Sequence, residues 1–148
     1  VAIATVLGIR FLTNDAVQPS LAAAILEHLD HEPDALRVTS TAVSAQRLDD
    51  VVGARADMDA SPGLVTYAMT CVINGHTVPH LVIQGARGPV TILLLAEETI
   101  NAAIPIEGEG VRGIVLPVGS GSIAVIGERD EPLDKIQEQV VNSVHWKT

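Results

Sequence analysis

The stretch LVTYAMTCVINGHTVPHLVIQGARGPVTILLLAEETINAAIPIEGEGVRGIVLPVGSGSIAVIG, residues 64–127, decides the fold of this chain. It holds five runs rich in Val, Ile, Leu and Thr, residue types that favour β-strands. Turn signals separate the runs at Asn74-Gly75 and at residues 85–88, 108–110 and 119–121. Asn-Gly is the strongest of these signals, because both central residues of a type I′ hairpin turn need a positive φ. The stretch therefore predicts an antiparallel sheet of about five strands, arranged as a meander.

Three apolar stripes with helical spacing lie on the two sides of this stretch. Their members are Leu21, Ile25 and Leu29; Leu48, Val51 and Val52; and Leu133, Ile136, Val140 and Val144. Ser44 is a favourable N-cap for the second helix. Glu32 ends the first helix, because the residue before a proline is disfavoured in the α region. We expect one α+β domain over residues 20–148, in which two or three helices pack mainly on one face of the sheet.

The first twelve residues are apolar except for Thr5 and Arg10. A membrane-spanning helix needs about 20 apolar residues, so this run is too short to cross a bilayer by itself. It suits the C-terminal end of a transmembrane helix, with Arg10 and Phe11 at the interface. It also suits a buried first strand, because β-branched residues favour strands. Residues 13–19 predict a linker to the domain.

The composition limits the classes of function. The chain has 148 residues and is 47% hydrophobic, which excludes a disordered chain and allows one sizeable core. It carries 18 acidic against 9 basic side chains and a formal net charge of −9. Nucleic acids and anionic lipid headgroups are therefore disfavoured as partners, because both need clustered Lys or Arg. The single cysteine, Cys71, excludes an internal disulfide.

Two glycine-rich segments match known motifs only superficially. Residues 108–113, GEGVRG, match G-x-G-x-x-G, but a strand pattern follows where a nucleotide site needs a helix, and Glu107 and Glu109 would repel phosphate. Residues 119–122, GSGS, also lead into a strand, so they are not a nucleophile elbow. The sequence shows no nucleophile–base or carboxylate pair with catalytic spacing. We therefore predict a non-enzymatic domain with no catalytic residue, no cofactor and no small-molecule substrate.

The Asn74-Gly75 hairpin carries the candidate metal ligands. With a two-residue turn, the opposed pairs are Ile73–His76, Cys71–Val78 and Met69–His80, and the side chains of a pair share a face. One face would then hold Met69, Cys71, His76 and His80. Thiolate, thioether and imidazole are ligands that suit copper. Burial of Cys71 and Met69 in the core is the favoured interpretation, because both are common core residues and a bulge at Pro79 would break the register.

A second histidine pair lies on the first predicted helix. His28 and His31 are three residues apart, beside Glu27, Asp30 and Glu32. A metal pair is conceivable at this spacing, but a solvated acidic helix end is the favoured interpretation. We therefore predict no metal site and keep only the four hairpin residues as candidate ligands.

Three segments of the chain resemble a known family in the same order. They are EHLDHEPDAL (27–36), GLVTYAMTCVINGHTVPHLVIQGARGPVTILLLAEE (63–98) and GEGVRGIVLPVGSGSIAVIGERDEPLDKIQEQVVNSVHW (108–146). They resemble the C-terminal domain of an uncharacterised bacterial family of single-pass inner-membrane proteins, suspected anti-sigma factors. The resemblance covers about residues 20–146 and implies that residues 1–12 are the end of that family's membrane helix. It also implies that the domain lies on the periplasmic side, and that the sigma factor is held by a cytoplasmic part outside these 148 residues.

The resemblance and the residue patterns together lead to three hypotheses of function. The first is a membrane-tethered periplasmic sensing or protein-binding domain of an anti-sigma-like regulator, with protein partners at the inner membrane or in the periplasm. The second is an accessory or structural subunit of a larger inner-membrane complex that docks through this domain. The third is a copper-binding module that uses the hairpin residues.

Overall fold

The structure, a computed structural model, describes residues 20–59 and 62–148. In chain order its elements are α1 (Leu21–Asp30), a short 3-10 helix (Pro33–Leu36), α2 (Ala45–Val52), β1 (Ala56–Met58), β2 (Val65–Ile73), β3 (His76–Gln84), β4 (Pro89–Leu95), β5 (Ile104–Glu107), β6 (Val111–Val118), β7 (Gly121–Glu128), α3 (Asp134–Ser143) and β8 (Val144–Trp146). The membrane-helix end expected at residues 1–12 and the linker expected at 13–19 lie outside the described residues. Within the described ranges, no helix has the length and apolar character needed to cross a membrane.

The predicted α+β fold is confirmed. Six antiparallel strands form the main sheet in the order β2-β3-β4-β7-β6-β5, where the sequence predicted about five, and β1 pairs with β8 in a separate small sheet. The additional strand, β5, contains Pro105, which cannot donate to a strand ladder. A proline is tolerated there because β5 lies at the edge of the sheet. The predicted meander is present as two three-stranded meanders, β2-β3-β4 and β5-β6-β7, which join where β4 pairs with β7.

The hairpin between β2 and β3 has the predicted register. Asn74 and Gly75 both have a positive φ, of 51° and 79°, as the tight turn requires. The ladder runs through Thr70–Pro79 without a break, and the irregularity lies instead between Val65 and Tyr67. The register therefore turns the same side chains to one face as the sequence predicted, up to and beyond Pro79.

Alternating side chains of the main sheet form two cores, one on each face. In β4, Val90, Ile92 and Leu94 pack on the face covered by α2 and α3. Leu93 and Leu95 belong to the opposite core, which α1 covers with Ile25 and Leu29. Two of the three helices in the described ranges thus share one face, and α1 lies alone on the other. This division places α1 over Cys71 and Val78.

The segment just before α3 carries a buried carboxylate. The helix begins at Asp134, and Glu131 lies before it and is buried, with 1% of its surface exposed. The Glu131 Oε2 atom accepts a hydrogen bond from the Arg87 backbone N–H at 2.5 Å. The Glu131 carboxylate therefore binds the backbone of the β3–β4 loop and does not interact with the N-terminal dipole of α3.

Candidate metal centre

Three potential metal ligands meet between α1 and the sheet. His28 on α1, Cys71 on β2 and His80 on β3 each offer one ligand atom, and these atoms lie within 4.8 Å of one another. His80 is fully buried and Cys71 is 7% exposed. A helix and two strands thus bring an imidazole pair and a thiol together inside an otherwise aliphatic core.

Local geometry explains why these side chains converge. Met69 pairs with His80 and Cys71 with Val78, so Cys71 and His80 are diagonal neighbours on one face of the hairpin. On α1, His28 follows the buried Ile25 by three residues, which puts both side chains on one side of the helix. The helix stripe and the strand alternation therefore direct all three ligands into the same interface.

The two imidazoles are separated by a distance that a metal ion can bridge. His28 Nε2 lies 3.3 Å from His80 Nδ1. Two nitrogens bound tetrahedrally to zinc, each about 2.0–2.1 Å from the ion, are about 3.3 Å apart. The rings meet edge to face, with centroids 5.3 Å apart. The other ring nitrogen of His80, Nε2, is buried and has no hydrogen-bond partner in the described parts of the chain.

Burial sets the protonation states of the two innermost ligands. Desolvation lowers the pKa of His80 to about 4, with a further lowering from His28 and an opposing effect from Glu32. His80 is therefore a neutral imidazole at neutral pH, the form that binds metals. Desolvation, followed by the charge of Glu32, raises the pKa of Cys71 to about 12. Without a metal Cys71 is a thiol, and an ion must displace its proton on binding.

Glu32 and Tyr67 border the cluster. The Tyr67 hydroxyl donates a hydrogen bond to Glu32 Oε2 at 2.6 Å. The other carboxylate oxygen, Oε1, lies 3.9 Å from His28 Nε2. The Tyr67 ring packs edge to face on His80, with centroids 5.2 Å apart, and burial followed by the Glu32 hydrogen bond raises the pKa of its hydroxyl.

Two surface grooves reach the edge of the cluster. His28 lines one groove together with Glu27 and Val72. Tyr67 lines another, formed with the segment that follows the 3-10 helix. Of the three ligands, only His28 lines one of these grooves, and Cys71 and His80 lie deeper.

The structure places two of the four candidate residues of the hairpin in the cluster and the other two outside it. Cys71 and His80 join the cluster. Met69 is 42% exposed, and its sulfur contacts the Arg47 guanidinium. His76 lies beside the turn and pairs with Glu97. The hairpin thus supplies two ligands, and the third comes from α1.

The histidine pair on α1 is also divided. The exposed His31 ring interacts through Nδ1 with the Glu27 carbonyl, 2.8 Å away, which agrees with a solvated helix end. His28 turns inward, with only 13% of its side chain exposed. Its place three residues after Ile25 was the available sequence signal for this orientation, and the acidic neighbours concealed it.

The glycine motif at residues 108–113 leads into β6, and Gly110 provides a turn with a φ of 73°. A Cβ on Gly113 would lie 2.3 Å from the Val125 carbonyl oxygen. These glycines therefore serve a turn and a close strand contact.

The fold and the cluster define an α+β domain with a His–Cys–His cluster between a helix and a sheet. The chain belongs to the family described as "Protein of unknown function (DUF3379)", whose profile matches residues 1–144. No curated protein matches the chain, and no solved structure does.

Proposed function

We propose that this domain is a non-enzymatic sensing domain that binds a transition-metal ion through His28, Cys71 and His80. The observation that carries the proposal is the convergence of these three ligand atoms within 4.8 Å, from three separate elements. Burying polar groups costs free energy unless they find partners. Without an ion, the facing nitrogens of His28 and His80 pair with each other. A bound ion would replace that pair with one partner shared with the Cys71 thiolate.

The ligand types indicate the class of ion. Imidazole suits zinc, copper, iron and nickel, and thiolate narrows the set toward zinc and copper(I). The copper-binding alternative used four residues of the hairpin, whereas the site proposed here uses two hairpin ligands and one ligand from α1.

Titration of metal-free protein with Zn²⁺, Co²⁺ and Cu(I) tests this proposal. We expect one ion per chain and, with Co²⁺, a thiolate charge-transfer band that Cys71→Ser abolishes. Cys71→Ser and His28→Ala should each weaken metal binding at least 10-fold, because each removes a ligand. Even the loss of a residue that only supports a ligand typically weakens metal affinity on the order of 10–100-fold.

Histidines outside the cluster provide the matched controls. His31→Ala and His76→Ala remove exposed or half-exposed imidazoles and should leave the affinity unchanged. The absence of stoichiometric binding, or equal binding by Cys71→Ser, would contradict the proposal.

We also propose the larger setting expected from the sequence, a membrane-tethered, periplasmic domain of an anti-sigma-like regulator. The location of the cluster supports this role, because α1 is the first helix in the described residues and supplies one ligand. An ion bound there acts on the helix that follows the apolar N-terminal segment in the sequence. The predicted partners are proteins at the inner membrane or in the periplasm.

Purification of a full-length protein that includes the preceding sequence tests this setting. Co-purification with a sigma factor is the expected result. Failure to bind any sigma factor would rule out the anti-sigma role. Recovery in a stable stoichiometric assembly without a sigma factor would favour the accessory subunit instead.

A further inference from the structure

We infer that Glu32 is the fourth ligand of this site and that its charge selects a divalent ion of the zinc class over copper(I). The inference rests on the proposed function, since it names the ion that the His28–Cys71–His80 cluster takes. Three protein ligands leave one position of a tetrahedral ion to be filled.

The backbone holds Glu32 at the rim of the cluster. Its N–H donates to the Leu29 carbonyl at 3.2 Å, and its own carbonyl accepts from the Ala35 N–H at 3.1 Å. Pro33 follows and fixes the next φ. These constraints keep the side chain, which is 32% exposed, beside His28.

The carboxylate must rotate inward to bind an ion. Glu32 Oε1 is 3.9 Å from His28 Nε2, whereas oxygen and nitrogen ligands of one tetrahedral zinc ion are about 3.3 Å apart. Its oxygens lie outside the group of three ligand atoms that are within 4.8 Å of one another. Binding therefore needs a rotation of the Glu32 side chain toward Cys71 and His80.

Tyr67 bonds only one oxygen of Glu32 and leaves the oxygen that faces His28 available for an ion. Its hydroxyl holds Oε2 at 2.6 Å, which turns Oε1 toward His28. Such a hydrogen bond to the non-bound oxygen is a common support for a ligating carboxylate. Tyr67 is therefore a positioning residue, which acts on the ion through Glu32.

Charge balance decides between the two ions. Two neutral imidazoles, one thiolate and one carboxylate carry two negative charges, which neutralise a divalent ion in this buried site. Copper(I) is neutralised by the Cys71 thiolate alone, so a nearby carboxylate adds an unbalanced charge. Because uncompensated charge is costly to bury, Glu32 favours the divalent ion.

Glu32→Gln tests this inference, with Glu27→Gln as its control. Glu27 is an exposed carboxylate on α1, five residues before Glu32, so both variants lose one negative charge. Competition with chelators should show that Glu32→Gln weakens Zn²⁺ binding about 100-fold and leaves Cu(I) affinity unchanged or higher. Glu27→Gln should change neither affinity.

Tyr67→Phe gives a second measurement. It should weaken Zn²⁺ binding about 10-fold, less than Glu32→Gln, because it removes only the support of the ligand. In Glu32→Gln, where the carboxylate is gone, the further change Tyr67→Phe should have little effect on Zn²⁺ affinity. Retained Cu(I) binding shows that each variant still forms the cluster.

The outcomes separate the two proposals. Equal loss of Zn²⁺ and Cu(I) affinity in Glu32→Gln, or no loss of either, would overturn the role of Glu32 and leave the three-ligand site standing. If the unsubstituted protein binds neither ion, the proposed function itself fails.

Discussion

Glu131 is a residue whose environment depends on a neighbouring glycine. One of its oxygens, Oε1, is buried without a hydrogen-bond partner in the described ranges. A Cβ on Gly85 would lie 1.7 Å from this oxygen and 2.9 Å from Val90 Cγ2. The β3–β4 loop can therefore cover Glu131 only if residue 85 has no side chain.

We predict that Gly85→Ala lowers the free energy of unfolding by about 2 kcal/mol, the usual cost of overpacking a buried site. Gly88→Ala in the same loop is the control, because its Cβ would approach only the exposed Glu128 carboxylate, at 2.7 Å. That side chain can move away, so the control should lose less than about 0.5 kcal/mol. Urea denaturation of both variants makes the comparison, and equal losses would contradict this account.

Cys71 should react slowly with thiol reagents in the folded, metal-free protein. It is 7% exposed and its pKa is raised to about 12 by burial and by Glu32, so little thiolate is present at neutral pH. Alkylation followed by mass spectrometry should show protection of at least about 100-fold relative to protein unfolded in urea, because burial limits access and the raised pKa lowers the amount of thiolate. Rapid alkylation of the native protein would contradict the buried position of this thiol.

At the residue scale, the sequence predicted part of the cluster. Cys71 and His80 were predicted on one face because strand alternation has a fixed period. His28 was assigned to the solvated end of its helix, since Asp30 and Glu32 beside it suggested an exposed surface. Which side chain of a polar helix end turns inward depends on the element that packs there, and this information is not local.

At the scale of elements, an ion would join α1 to the sheet. In the described residues, two side-chain hydrogen bonds link α1 and its C-terminal turn to the sheet. They join His28 to His80 and Tyr67 to Glu32. Both contacts belong to the proposed site. The rest of the α1 interface is apolar packing around Ile25 and Leu29.

We therefore predict that Zn²⁺ slows hydrogen exchange of the α1 amides. At a zinc concentration of about 100 times Kd, openings that break the site become about 100-fold rarer. Residues 45–52 in α2 serve as the internal control, because they lie on the other face and hold none of the proposed ligands. Equal slowing of exchange in α1 and α2 would indicate global stabilisation and contradict a local link.

Local signals account well for some elements and poorly for others. The Asn74-Gly75 turn allowed the hairpin and its register to be predicted, because few dipeptides accept two positive φ values. β5 was missed because four residues with a proline lack a clear strand pattern, and β1 and β8 were missed because each has only three residues. Such short strands exist because a neighbouring strand pairs with them, which is a tertiary effect.

For the whole molecule, buried His80 makes stability depend on pH. Its pKa is about 4 in the folded protein, against about 6.5 unfolded, so the unfolded state binds more protons between these values. The neutral ring contacts the His28 and Tyr67 rings and lies near the Glu32 carboxylate. The contribution of neutral His80 to the free energy of unfolding is complete above pH 6.5 and is lost as the pH falls toward 4. The loss amounts to about 3 kcal/mol.

Urea denaturation of metal-free protein between pH 7 and pH 4 measures this loss. His80→Leu, which removes the titrating ring, should have a smaller dependence on pH in this range, whereas His31→Ala should retain it. The same dependence in His80→Leu and the unsubstituted protein would assign the effect to other groups.

The arrangement of the whole sheet could be predicted only in part. Hairpin signals predicted that neighbouring strands pair, and they do within each meander. The pairing of β4 with β7 joins strands 26 residues apart at their nearest ends, Leu95 and Gly121. No turn signal in the sequence predicts this pairing. It forms only after the hairpins do, when the edge strand of one meander pairs with the edge strand of the other. The location of α1 on the face opposite to α2 and α3 is equally non-local.

The junction of the two meanders makes the domain divisible. Its halves meet along the β4–β7 and β1–β8 ladders, and the connection between β4 and β5 passes through exposed Asn101 and Ala102. A chain cut there leaves His28, Cys71, His80 and Glu32 together on the first fragment, while β5, β6, β7, α3 and β8 form the second. The second fragment holds none of the proposed ligands but completes both cores, so fragment complementation would separate the ligands from the packing that holds them in place.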